Sequence, residues 1–85
     1  MADEDSRRKR ALYRAHHRGT KEMDIILGGF ADAEVARFSD SEMTTFEVLL
    51  SLPDPEIDRL FHGAEPPADL ARLIKRIRRH HGLDG

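Results

Sequence analysis

Helix punctuation constrains this chain more than any other feature. Gly19, the run Ser39-Asp40-Ser41-Glu42, the Asp54-Pro55 step, Gly63 and the Pro66-Pro67 pair recur along its 85 residues. Between these breaks the apolar residues return at steps of three and four, the helical period, and β signals are nearly absent. Helices this short are marginal alone in water, so their apolar stripes must bury one another. The expectation is an all-α, single-domain antiparallel bundle of about five short helices.

Each segment carries its own start and stop. A first helix is expected over 6–17, with Leu12 and Ala15 as a thin apolar stripe. Gly19 then sits just past a helix end, where a left-handed backbone suits glycine. A second helix starts near Thr20, with Glu22 and Asp24 in its first turn and Met23, Ile26, Leu27 and Phe30 facing a core. Gly28-Gly29 interrupts that stripe, and each glycine costs about 1 kcal/mol against alanine inside a helix. This predicts either a helix end or close approach by another backbone; if the helix continues, Val35 and Phe38 point inward. Ser39 and Glu42 read as a capping box, followed by Met43, Phe46, Leu49 and Leu50 as core positions. Asp54-Pro55 reads as an aspartate cap with proline at the first helical position, and Ile57, Leu60 and Phe61 follow. Pro66-Pro67 opens a last helix whose Leu70, Leu73, Ile74 and Ile77 share one face, ending before Gly82.

Composition closes several routes. With no cysteine, disulfides, thiolate metal sites and cysteine nucleophiles are excluded. A chain of this size makes one domain, 1–85, with a small core; residues 1–5 and 82–85 are expected to be flexible. The acidic opening Met1-Ala2-Asp3-Glu4-Asp5 resembles neither a secretory signal nor a transit peptide, and the apolar stretch around Ile25-Ile26-Leu27 is too short to span a bilayer. A cytoplasmic chain without membrane insertion, monomeric when free, is expected. The net charge of −2 hides segregation. Arg7 to Lys21 carries cations and no acid, Glu22 to Asp58 carries acids and one cation, Arg37, and the tail turns basic at Arg72, Lys75, Arg76, Arg78 and Arg79. Such runs are most simply solvated faces.

The densest chemistry lies in His17-Arg18-Gly19-Thr20-Lys21-Glu22-Met23-Asp24, an Arg-Gly-x-x-Glu core at the junction of two helices. Arg18 in a last turn and Glu22 in a first turn both suit their local dipoles, and a local Arg18–Glu22 pair would contribute only about 0–1 kcal/mol if exposed. The same residues also fit a recognition surface. The adjacent pairs His16-His17 and His80-His81 point about 100° apart on a helix and lack the spacing of metal ligands, so no metal site is expected. No phosphate loop and no nucleophile–base arrangement is present.

From about Arg8 to Arg78 the chain resembles the FAD assembly factors of succinate dehydrogenase. The resemblance is carried by Arg18, Gly19, Glu22 and Asp24, the apolar run to Phe30 and the Ser39-to-Glu42 helix start. It continues through Phe46-Glu47-x-Leu49-Leu50, Pro53-Asp54-x-Glu56 and the aromatic Phe61, where family members often carry tryptophan. It implies an assembly chaperone, not an enzyme, that binds the flavoprotein subunit of succinate dehydrogenase, or of fumarate reductase, and promotes covalent attachment of FAD to a histidine of that partner. FAD is then the partner's cofactor, and none is held stably by this chain. Arg18, Gly19 and Glu22, with His17, Lys21 and Asp24 around them, become the partner-binding residues, Arg18 offering a forked donor array and Gly19 close approach of the partner's backbone. The rival reading is a small helical nucleic-acid-binding regulator using the basic Arg7-Arg8-Lys9-Arg10 cluster and the Lys75-to-Arg79 run; no interleaved aromatics support it.

Overall fold

A computed structural model describes residues 2–83 and contains helices α1 (Ala2–His16), α2 (Lys21–Glu34), α3 (Asp40–Leu50), α4 (Asp54–Phe61) and α5 (Ala71–His80), with a 3-10 turn, Val35–Arg37, between α2 and α3. There is no strand among the described residues. Helix α1 packs against α2 and α3, while α5 lies against α2 and α4. The result is the expected small all-α bundle. No helix among the described residues is long and apolar enough to cross a membrane.

The core is built from the stripes read in the sequence. Met23, Ile26, Leu27 and Phe30 of α2 meet Met43, Phe46, Leu49 and Leu50 of α3, Ile57, Leu60 and Phe61 of α4, and Leu73, Ile74 and Ile77 of α5, all buried. Ala11 and Ala15 bring α1 close to this core, with Leu12 only partly buried beside them. Phe30, Phe38 and Phe46 form a tilted aromatic trio with ring centroids 5.7–6.2 Å apart. The Arg76 guanidinium closes this trio, 5.4 Å from the Phe38 centroid and bonded to Glu34 and Glu42. Phe61 lies fully inside the apolar core.

Local chemistry fixes most boundaries. Ser39 and Glu42 make the complete reciprocal capping box, and Thr20 caps α2 by accepting from the Met23 amide. Gly63 and Gly82, both with positive φ, end α4 and α5 in Schellman turns; the Ala64 amide donates to the Arg59 carbonyl and the Leu83 amide to the Arg78 carbonyl. Gly82 and Leu83, assigned to a flexible tail by the sequence, therefore take a defined turn. Likewise α1 begins at Ala2 rather than Ser6, supported by Glu4–Arg8 and Asp5–Lys9 pairs. Positions 1, 84 and 85 of those two tails lie outside the described residues.

Three sequence expectations are corrected. Pro66-Pro67 does not open α5: a residue before proline avoids the helical region, and Pro67 instead starts a turn whose Leu70 amide donates back to its carbonyl, so α5 begins at Ala71. Asp54 is not the α4 cap; Pro53 holds that place with no side-chain bond, and Asp54 lies inside the first turn with its carboxylate turned elsewhere. Gly28-Gly29 neither ends α2 nor admits another backbone. The helix runs through, and imidazoles occupy the missing side-chain space, His16 over Gly28 and His81 beside Gly29. A Cβ on Gly28 would stand 2.5 Å from His16 Nδ1, whereas one on Gly29 would stand 3.3 Å from His81 Cε1. His16 is held there by Asp32 and His81 by donating to the Ile26 carbonyl, at 2.9 and 2.7 Å. These histidines are packing elements and not free surface groups.

The charge runs are also less solvated than expected. Arg7 reaches from α1 to α3, where its guanidinium donates twice to Glu47 and once each to Thr44 and Asp40. Arg8 donates to the carbonyls of Val35 and Phe38, fastening the 3-10 turn. The paired Arg7 guanidinium holds the Glu47 carboxyl below its ordinary 4.5, and the Ser39 amide, followed by Arg76, does the same for Glu42. A carboxyl with a depressed pKa in the fold binds protons less readily than in the unfolded chain. Its stabilisation is therefore complete above 4.5 and is lost as the pH falls through the folded-state values. Urea titrations at a series of pH values should show the midpoint dropping below pH 4.5, with a shallower acid slope in Glu47→Gln; an unchanged slope removes Arg7–Glu47 as a contributor.

The glycine contacts give a sharper expectation. In a His16→Ala background, Gly28→Ala should stabilise the fold by about 1 kcal/mol through helix propensity alone. In the native background the imidazole must be displaced, so that gain should vanish or reverse. Thermal melts of the four chains measure the coupling, and additive effects would mean the ring does not occupy that space. At the core, Leu73→Ala should cost about 2–5 kcal/mol, read from the same melts.

Candidate functional site

The Arg-Gly-x-x-Glu segment forms the α1–α2 junction, and its two charged side chains face opposite ways. Arg18 points inward, its side chain only 12% exposed. Its Nε donates to Asp54 Oδ1 at 3.0 Å, its Nη1 to the Leu50 carbonyl at 2.7 Å and its Nη2 to the Leu52 carbonyl at 3.0 Å. Arg14, one turn earlier, adds a 3.3 Å bond to the Leu50 carbonyl. Leu50 ends α3 and Asp54 opens α4. One guanidinium thus satisfies carbonyls at the negative end of one helix and pairs with the carboxylate at the positive end of the next. The forked donor array expected for a partner is engaged within the chain.

Glu22 points outward, its side chain 61% exposed, and does not pair with Arg18. Its Oε2 lies 3.7 Å from His62 Nε2, and Asp58 Oδ1 lies 3.3 Å from the same nitrogen. Between Arg18 and Glu22, Gly19 has φ +103, a backbone region that L residues rarely adopt, and a Cβ there would meet nothing within 4 Å. The position requires glycine for its backbone while leaving open space above it. Asp24, half-buried, reaches back to accept the Arg18 amide at 2.6 Å and so fixes the junction. Lys21 is exposed. His17, exposed, stacks on Tyr13 with centroids 3.9 Å apart and donates through Nδ1 to the Tyr13 carbonyl.

The six sequence-selected residues are therefore contiguous but not equivalent. Arg18 and Asp24 hold the junction together, while His17, Gly19, Lys21 and Glu22 lie on its exposed side. The sequence reading missed two participants. Ile25 is 57% exposed beside Lys21 and Glu22; the signal was its place in an apolar run but off the Met23-Ile26-Leu27-Phe30 stripe. Asp54 is the other, hidden because its capping explanation was locally sufficient. With Thr20, Asp24, Gly29 and Asp32, Ile25 lines a shallow depression over the junction. An exposed isoleucine rimmed by charges of both signs suits a protein surface better than a small substrate.

The family model for flavinators of succinate dehydrogenase, Sdh5, matches residues 9–81. Over 82 residues the chain is 42% identical to the FAD assembly factor SdhE of Acetobacter pasteurianus, covering 87% of this chain and 75% of that protein. It is 31% identical over 75 residues to the FAD assembly factor SdhE of Legionella pneumophila, covering 87% of this chain and 95% of the relative. Over 75 residues it is 32% identical to succinate dehydrogenase assembly factor 2, mitochondrial, of Dictyostelium discoideum, where it spans 53% of the relative's length. No solved structure matches. A junction motif inside a helical bundle and a family match spanning both helix ends lead to one assignment: the chain belongs to the Sdh5 family, the flavinators of succinate dehydrogenase.

Proposed function

We propose that this chain is an assembly chaperone that binds the flavoprotein subunit of succinate dehydrogenase and promotes covalent attachment of FAD to it, without a catalytic group of its own. The same reading extends to the flavoprotein of fumarate reductase. The observation that carries it is the division of the junction: Arg18 anchors the turn from inside, and that turn presents Gly19, Lys21, Glu22 and Ile25 to the outside. An exposed patch anchored in this way is what a factor needs to hold a flavoprotein in the state where FAD and its attachment histidine are aligned. Alignment alone can lower a barrier by up to about 7–11 kcal/mol. The nucleic-acid reading is disfavoured because Arg7, Arg8 and Arg76 are bonded within the bundle.

Two substitutions separate anchor from contact. Glu22→Ala should melt like the native chain yet reduce covalent flavin on the co-expressed flavoprotein, since removing one member of a buried interfacial charge pair costs about 2–5 kcal/mol. Arg18→Ala should lower the melting temperature, because the Leu52 carbonyl and the Asp54 carboxylate lose their donor and the Leu50 carbonyl keeps only Arg14, at about 1–3 kcal/mol for an unsatisfied group. Flavin fluorescence on denaturing gels, read beside thermal melts, distinguishes the two. Native flavinylation with Glu22→Ala would defeat the proposed surface.

Gly19→Leu tests approach at the turn. The backbone strain should cost about 1–2 kcal/mol, and the side chain projects into open space, so the protein should stay folded at low temperature and fail to support covalent attachment. Non-covalent FAD on the partner should persist. Loss of both forms would indicate cofactor delivery in place of alignment.

A further inference from the structure

Glu22, Asp58 and His62 converge at the exposed edge between α2 and α4, with one ligand atom from each within 4.8 Å of the others. Asp58 and His62 stand one turn apart on α4, so they share a helix face. Glu22 joins them from the first turn of α2. The ring nitrogen His62 Nε2 lies 3.3 Å from Asp58 Oδ1 and 3.7 Å from Glu22 Oε2. Both approaches exceed the usual 2.7–3.2 Å of an N–H···O hydrogen bond, and neither forms one here. They do match the edge of a coordination tetrahedron: ligand bonds of about 2.0–2.2 Å place ligand atoms about 3.4 Å apart.

We infer that Glu22, Asp58 and His62 form a binding site for a divalent transition-metal ion of the zinc type. One imidazole and two carboxylates are donors that Zn2+ accepts, and three protein ligands leave a fourth position open to water or to a side chain from another protein. The neutral imidazole, through Nε2, and an oxygen of each carboxylate would supply the three donor atoms. The site lies apart from the histidine pairs: His16 is held by Asp32, His17 by Tyr13 and His81 by the Ile26 carbonyl. It shares Glu22 with the surface proposed to meet the flavoprotein, but its test needs neither partner nor FAD.

The test is isothermal titration of the tag-free full chain with ZnCl2 near neutral pH, alongside His62→Ala, Asp58→Asn and Glu22→Gln. All three positions are at least half-exposed or nearly so, and circular dichroism checks that each variant stays folded. The expected result is one-to-one binding in the native chain, weakened at least about tenfold in every variant and unaffected by His17→Ala. No binding up to about 1 mM Zn2+ overturns the proposal. Equal affinity in the variants overturns it by placing the ion on other histidines, and a loss confined to Asp58 and His62 removes the ligand from α2.

Discussion

The guanidinium of Arg18 meets three acceptors from two helix ends that the chain brings together 32–36 residues further on, and the geometry of the candidate surface follows from that clasp. The acceptors lie at the end of α3, in the connection that follows it and at the start of α4. A lysine would supply one point charge where the connection needs a planar fork. Once Arg18 is fixed, the Asp24 bond to its amide sets the turn, and the positive φ of Gly19 sends the chain into α2. The outward residues inherit their positions from this inward one.

The bundle repeats the device elsewhere. Arg7 ties α1 to α3, Arg8 ties α1 to the 3-10 turn, and Arg76 ties α5 to Glu34 and Glu42 over the phenylalanine trio. A domain of this size has little apolar area to bury and no cross-links. Arginine stems that cover apolar rings while their heads pair with carboxylates extend the core at its margins. This explains why basic and acidic residues are segregated along the sequence: the segments attract one another across the fold.

What the sequence made legible was local. The Ser39–Glu42 box, the Gly63 and Gly82 stops and the Met23-to-Phe30 stripe each depend on residues within a turn or two, and all appear in the structure. The junction motif was legible as a motif, but its polarity was not, because the Arg18–Asp54 contact spans 36 residues and each partner had an adequate explanation nearby. Separation along the chain likewise hid the histidines over Gly28 and Gly29. Pro66-Pro67 misled for a different reason: the residue before a proline is disfavoured in the helical region, and the chain makes the turn from Pro67 to Leu70 before α5 begins at Ala71.

The contact between His16 and Gly28 also bears on how this chain can drift in sequence. The ring fills the space that any larger residue at position 28 would claim, so the two positions behave as a single locus divided between two helices. A side chain can be gained at 28 without penalty only after the ring at 16 has gone, since the intermediate with both must displace the ring while the one with neither leaves the ring's space unfilled. Among descendants of this sequence, a small residue at one position and a ring at the other should therefore be inherited together or exchanged together.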